Sequence, residues 1–162
     1  MKVVRLLLCL CAPAIVSGQA RPQTVGSART AFTGAFFALT VADLEASARW
    51  YSDKLELKVV MHIPKQAGVA VTLLEGPGLI VELIEQDGAL PLRNAAPSVK
   101  DGRYLLGIFK VGALVRDFDR TVAMLRAHQV DIAFGPYPAR DHQRANVIVR
   151  DNAGNLIQFF GD

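Results

Sequence analysis

The histidines and cysteines are the side chains of this 162-residue sequence most able to hold a metal or attack a substrate. His62, His128 and His142 do not have the i,i+2 or i,i+4 spacing that places two imidazoles on one face of a strand or helix. Cys9 and Cys11 both lie in the apolar segment at the N-terminus. The pattern favours ordinary edge or surface histidines. If the N-terminal segment is removed from the mature protein, both cysteines go with it and no thiolate site is expected.

The first residues have the order of a secretory signal peptide. Lys2 and Arg5 form a positive start, residues 6–16 are apolar, and small residues follow. The run is too short to span a bilayer, although a retained membrane anchor is the alternative. We therefore predict a signal peptide at 1–20 and a linker at 21–31, with a secreted or periplasmic product that has no stable membrane insertion after cleavage.

The charge of the chain depends on this processing. The net charge is +3, and losing Lys2 and Arg5 lowers it to +1, with 16 basic against 15 acidic residues. The sequence has no basic patch with interleaved aromatic residues, so we do not expect the protein to bind nucleic acid. The length suits one domain, which we place at 32–162.

The region after the linker repeats one pattern. Residues 36–60 and 110–134 each begin with a β-prone apolar run that ends shortly before an aspartate, and Asp43 and Asp117 are 74 residues apart. Each aspartate is well placed to cap the N-terminus of the helix that follows, where apolar residues recur with helical period. The repeat predicts two equivalent modules, at about 32–86 and 103–161, joined by a connection over 86–102 that is rich in Pro, Gly and Ala.

Each module continues with three strand-like runs. The predicted strands are 58–63, 69–74 and 79–84 in the first module, and 131–134, 145–149 and 156–160 in the second. Each module is therefore βαβββ. The sequence predicts an α+β protein in which two tandem βαβββ modules form a concave cleft, while the helices cover the outer faces.

Two motifs give this repeat a family resemblance. The first module contains V-x-D-L-E-x-S at 41–47, an aromatic-Tyr pair at 50–51 and a Leu-x-Leu at 55–57. The second module closes with R-D-x-x-G-N-x-I at 150–157. With these motifs the chain resembles the vicinal oxygen chelate family, which includes glyoxalases, bleomycin-resistance proteins and dioxygenases. The resemblance implies the glyoxalase-like fold.

Family enzymes usually hold one divalent metal with four side chains, and counting from the motifs gives the matching positions. Phe36 and Lys110 stand where the resemblance implies histidine, and Glu82 stands where glutamate is common. Gln158 replaces the usual glutamate of the last strand. Phe36 has no donor atom and Lys110 is normally a cation, so the resemblance implies a largely dismantled metal site. We predict no metal and no cofactor.

Strand alternation predicts which side chains line the cleft. We expect the ligand-binding residues to be Phe36, Ala38, Thr40, Glu82, Lys110 and Gln158. Two interpretations remain open. In one, Glu82 and Lys110 anchor a polar group of a small molecule while Phe36 stacks on its apolar part. In the other, Glu82 and Lys110 simply pair, with Gln158 bonded to them and Phe36 filling the space. A catalytic Lys110 is a third interpretation, and no catalytic residue is assigned.

Two function classes follow. The first is an exported protein that binds a small molecule in the cleft without metal, like the drug-sequestering branch of the family. The second is a divalent-metal-dependent enzyme of the lactoylglutathione lyase, isomerase or dioxygenase type. Since many relatives are dimers, the resemblance also implies a homodimer.

Overall fold

A computed structural model describes residues 33–162. The elements run in the order β1 (Ala35–Thr40), α1 (Leu44–Leu55), β2 (Lys58–Gln66), β3 (Val69–Gly76), β4 (Leu79–Gln86), α2 (Leu92–Ala95), a 3-10 turn (Gly102–Tyr104), β5 (Val111–Val115), α3 (Phe118–Ala127), β6 (Asp131–Tyr137), β7 (Asn146–Arg150) and β8 (Leu156–Gly161). The two short helical segments between β4 and β5 were not predicted. The predicted signal peptide at 1–20 and the predicted linker at 21–31 lie outside the described residues.

The strands form two four-stranded sheets of the same design. The first sheet has the order β1-β4-β3-β2 and the second has the order β5-β8-β7-β6. In each, the first and last strands of the module pair in parallel and the remaining neighbours are antiparallel. Strands β1 and β5 lie close together, so the two modules meet along these strands. The predicted α+β class and duplicated βαβββ modules are confirmed.

Both long helices begin where the sequence predicts. Asp43 precedes α1 with extended backbone, and its Oδ1 accepts a hydrogen bond from the Ala46 amide at 2.8 Å. Asp117 does the same for α3, accepting from the Arg120 amide at 2.9 Å. Each carboxylate thereby satisfies an amide that has no partner inside its helix, and its negative charge lies at the positive end of the helix dipole.

The helices cover one face of each sheet and create the core there. Helix α1 packs on β2, β3 and β4, and α3 packs on β8. The buried apolar side chains on these faces are Phe37, Val41, Leu44, Tyr51, Leu57, Ala70, Leu74, Leu79, Val81 and Leu83 in the first module and Val122, Leu125, Val130, Val147, Val149, Ile157 and Phe159 in the second. Burying these faces leaves the opposite faces of the sheets available for another role.

Polar contacts connect the two modules on the helix side. The buried Tyr51 hydroxyl donates to Asp151 Oδ2 at 2.9 Å. Burial, and then the neighbouring Asp151 carboxylate, raise the pKa of Tyr51, so its hydroxyl remains a donor at neutral pH. Nearby, Asn152 Nδ2 donates to Ser47 Oγ at 3.1 Å. These bonds join helix α1 to the turn between β7 and β8, some hundred residues away in sequence.

Two helices end in residues with left-handed backbone that are not glycine. Glu56 has φ 58° after α1, and Gln129 has φ 54° after α3. A side chain in this conformation costs about 1 kcal/mol that glycine avoids. Within residues 33–162, no helix is both long and apolar enough to cross a membrane.

We expect Gln129→Gly to raise the free energy of unfolding by about 1 kcal/mol, because glycine adopts the left-handed conformation without strain. Urea denaturation measures the change. Arg126→Gly in the last turn of α3 is the matched control, since glycine inside a helix should lower stability by about 1 kcal/mol. Destabilisation of similar size by both substitutions would contradict the left-handed assignment at Gln129.

Candidate functional site

The six predicted cleft residues lie on or beside the sheet faces that carry no helix, and they differ in exposure and in contacts. In β1, Phe37 is buried toward α1, whereas Phe36 on the opposite face is 61% exposed. Ala38 and Thr40 follow Phe36 on that face and are also exposed. Side chains two residues apart share a face because a strand alternates with period two. The structure thus places these three residues together on the face of the first sheet that carries no helix. The faces without a helix are those that the sequence analysis expects to line the cleft, and we call them the concave face.

Glu82 lies on the same face in the neighbouring strand. It is half-buried in β4, directly opposite Ala38 in β1, and Leu73 of β3 is its other cross-strand neighbour. Phe36 pairs with Ile80, two residues before Glu82, so Phe36 and Glu82 are diagonal neighbours. The only carboxylate of this group therefore lies among apolar side chains.

Lys110 and Gln158 are diagonal neighbours in the second module, as Phe36 and Glu82 are in the first. Gln158 of β8 lies opposite Gly112 of β5, and Lys110 is two residues before Gly112, directly ahead of the strand. Lys110 is exposed, whereas Gln158 is only 7% exposed. The Gln158 Nε2 donates to Asn146 Oδ1 at 3.0 Å, and this bond fixes the Gln158 amide on the concave face.

Asn146 is a residue that the sequence analysis did not select. It begins β7, and its side-chain oxygen accepts the bond from the Gln158 amide. One of the two interpretations above had bonded this amide to Glu82 and Lys110. The alternation of 145–149 already placed Asn146 on the same face as Ile148. Its pairing could not be read from the sequence, because it depends on the register between β7 and β8.

The internal ion pair considered above is not formed. Among the described residues, no ion pair within 4.0 Å includes Glu82 or Lys110. The interpretation in which these two side chains satisfy each other is therefore wrong for this structure.

Glycine at position 112 allows the second sheet to form here. A Cβ atom built on Gly112 would overlap the backbone carbonyl oxygen of Gln158. The close approach of β5 and β8 thus requires glycine, which also leaves the surface in front of Gln158 free of a side chain.

Equivalent rows of cross-strand neighbours cross the two sheets. The first row is Met61, Leu73, Glu82 and Ala38, and the second is Phe134, Ile148, Gln158 and Gly112. Each row has one polar side chain with apolar residues toward the outer strand. Met61, Phe134 and Leu114, which shares this face, are exposed in spite of their size. An exposed apolar surface with few polar groups is typical of a binding site.

The histidines lie elsewhere. His62 is in the edge strand β2 with Nδ1 3.0 Å from Thr72 Oγ1, and Thr72 is buried on the helix side of the sheet. His128 caps the C-terminus of α3, and His142 lies in the turn between β6 and β7. His62 at a sheet edge and the exposed His142 match the predicted edge and surface histidines. Within residues 33–162, no three His, Cys, Asp or Glu side chains are grouped to hold a metal ion.

The donor chemistry of the four family positions does not fit a divalent cation. Phe36 provides no lone pair and Lys110 provides an ammonium group. Glu82 and Gln158 alone carry oxygen donors, and two such ligands without imidazole hold a divalent ion weakly.

Two cavities lie outside the concave face and were not predicted. They adjoin each other at the start of α3 and measure about 360 Å³ and about 610 Å³. Both contact Arg116 and Phe118. Their lining residues come from the segment after β5, the start of α3, the ends of β6 and β8, and the connection between β6 and β7.

Comparisons with known proteins agree with the fold and the repeat. A family model described as the Glyoxalase/Bleomycin resistance protein/Dioxygenase superfamily matches residues 34–159. Because this is more than half of the sequence, the chain belongs to that superfamily. No curated protein sequence matches it.

Solved structures extend the comparison. A glyoxylase/bleomycin resistance protein/dioxygenase domain from Frankia sp. EAN1pec is 19% identical with a TM-score of 0.59, covering 76% of this chain and 86% of its own. TnmS3, an antibiotic binding protein from Streptomyces sp. CB03234, is 18% identical with a TM-score of 0.53, covering 84% and 98%. A lactoylglutathione lyase from Agrobacterium tumefaciens is 19% identical with a TM-score of 0.53, covering 78% and 90%. At these identities the likeness establishes the fold alone, which both binding proteins and enzymes share.

Proposed function

We propose that the protein binds a small, largely apolar molecule on its concave face without using a divalent metal. The observation that carries the proposal is the pair of substitutions at the family's histidine positions, Phe36 and Lys110. A metal site needs lone pairs directed at the ion, and these two positions offer an aromatic ring and a positive charge. We therefore do not expect catalysis that depends on a chelated ion.

The same substitutions favour binding. Phe36 is 61% exposed on the concave face, so its ring is available to contact the apolar part of a ligand. Glu82 is half-buried, Lys110 is exposed, and neither forms an ion pair among the described residues, so both are free to orient polar groups. TnmS3, an antibiotic binding protein, shares this fold, so the fold is compatible with a role in ligand binding.

A fluorescent aromatic sulfonate, 8-anilinonaphthalene-1-sulfonate, tests this proposal because it combines an apolar body with an anionic group. We expect saturable binding that is unchanged by excess EDTA. Phe36→Ala should weaken binding about tenfold through loss of the ring contact, and Lys110→Gln should weaken it by removing the charge that faces the sulfonate. Fluorescence titration of the folded protein gives the dissociation constants.

Tyr104→Ala is the matched control, since Tyr104 is an exposed aromatic residue in the connection between the modules. It should leave the dissociation constant unchanged. Binding that disappears with EDTA would instead favour the metal-dependent enzyme. Equal weakening by Phe36→Ala and Tyr104→Ala would place the probe away from the concave face and contradict the proposal.

We also propose that the protein is exported, on the basis of the N-terminal sequence pattern. The mature chain should begin near Gln19 or Arg21 and contain no cysteine. N-terminal sequencing of protein isolated from a bacterial host that exports such leaders gives the result. Soluble cytoplasmic protein that retains Met1 would contradict export.

A further inference from the structure

The place in the first module that corresponds to the smaller cavity beside α3 is occupied by a glutamate and a lysine. There, Glu85 Oε2 accepts a hydrogen bond from the Leu44 amide at 3.0 Å, and Glu85 Oε1 lies 2.7 Å from Lys65 Nζ. Lys65 also reaches Asp87 Oδ1 at 2.8 Å. The bond from Lys65, followed by the Leu44 amide, holds the pKa of Glu85 below its ordinary value. The first module thus places its own carboxylate at the start of its helix.

The repeat shows which residue replaces Glu85 in the second module. Glu85 is one residue beyond the β4 partner of Thr40. Gly161 is one residue beyond the β8 partner of Leu114. Thr40 and Leu114 are themselves equivalent, because each is three residues before its helix-capping aspartate. Gly161 therefore occupies the place of Glu85 and has no carboxylate.

The ammonium group is also missing. Ile63 of β2 and Tyr137 of β6 have equivalent partners in the next strand of each sheet. Lys65 is two residues after Ile63, so its equivalent is Ala139, two residues after Tyr137. Two small residues thus replace a carboxylate and a lysine, and both line the cavity of about 360 Å³ that remains.

The cavity, which we name the Arg116 cavity, has two arginines and a histidine in its lining together with two aspartates. Its lining residues are Arg116, Phe118, Ala139, Asp141, His142, Gln143, Arg144, Ala145, Gly161 and Asp162. Among the described residues, Arg116 has no ion-pair partner within 4.0 Å. Arg144 Nη1 lies 3.3 Å from Asp162 Oδ1, with side chains 55% and 63% exposed. An ion pair this exposed contributes little, so Arg144 can exchange Asp162 for another carboxylate.

We propose that the Arg116 cavity binds a small carboxylate, which occupies the place that the Glu85 side chain takes in the first module. Arg116 and Arg144 provide charge-assisted donors, and guanidinium groups match the planar geometry of a carboxylate. Phe118 is the first residue of α3, as Leu44 is the first residue of α1. The Phe118 amide therefore corresponds to the Leu44 amide, which donates to Glu85 in the first module. This site is separate from the concave face and does not rest on the function proposed there.

Amide NMR spectra of the purified protein, titrated with acetate at constant ionic strength, test the proposal. We expect saturable shifts at the Phe118, Asp119 and Gly161 amides, and no such shifts with acetamide, which has the same shape without the charge. Arg116→Gln combined with Arg144→Gln should weaken acetate binding at least about tenfold. Both arginines are exposed, so the fold should tolerate these changes.

Arg150→Gln is the control, because Arg150 is an exposed arginine of the same module that pairs with Asp131 away from the cavity. It should bind acetate as the wild type does. The proposal is overturned if acetate and acetamide give the same shifts, or if the double variant binds acetate as tightly as Arg150→Gln. Inorganic phosphate that binds more tightly than acetate would also contradict a carboxylate site, because it would indicate a general anion site.

Discussion

Asp151→Ala is expected to lower the free energy of unfolding by about 3–5 kcal/mol. The Asp151 carboxylate is buried and accepts four hydrogen bonds: from the Tyr51 hydroxyl, the Ala153 amide, and the Asn155 amide and side chain. Alanine would leave a buried phenol without its acceptor and a turn without its internal bonds. Urea denaturation at neutral pH measures the loss.

The control is the same change at an exposed aspartate of the same module. Asp131 pairs with Arg150 at 3.4 Å at the surface, so Asp131→Ala should cost less than about 1 kcal/mol. Tyr51→Phe should account for part of the Asp151→Ala effect, since it removes one of the four bonds. If Asp151→Ala were as mild as Asp131→Ala, the contact between α1 and the β7–β8 turn would not hold the modules together.

The second large effect concerns the family metal positions. Phe36→His combined with Lys110→His should create a divalent-metal site with Glu82 and Gln158, because two imidazoles would join two oxygen donors. Nickel or zinc at about 100 times the dissociation constant should then stabilise the variant by about 2.7 kcal/mol, a rise in melting temperature of roughly 5–10 °C. Thermal unfolding with and without metal gives the difference.

A double alanine variant at positions 36 and 110 removes the same side chains without adding ligands and should show no response to metal. The wild type should also show none. If the histidine variant folds but its melting temperature does not respond to metal, the four side chains do not converge on one point. The site that we describe would then be wrong.

Local patterns explain why much of the fold could be predicted. Helix starts depend on a few neighbouring residues, so Asp43 and Asp117 indicated both N-caps correctly. Strand alternation depends only on period two, so it predicted that Phe36 and Glu82 share a face. The duplication then linked these local patterns into one architecture.

Contacts set by strand register could not be predicted in the same way. Gln158 bonds to Asn146 and not to Glu82 and Lys110, as one of the two interpretations had it, because side-chain partners across strands follow from an alignment that the sequence does not display. The Arg116 cavity was missed for a related reason. It arises where the second module lacks a side chain, and an absence is visible only when the two modules are compared in three dimensions.

Metal analysis of the purified wild-type protein tests the central claim most directly, since the claim is that the concave face works without a chelated ion. Elemental analysis after dialysis against metal-free buffer should find far less than one zinc, nickel, manganese or iron per chain. One tightly held metal per chain, lost together with ligand binding when EDTA is added, would contradict the account and return the protein to the metal-dependent enzymes of its superfamily.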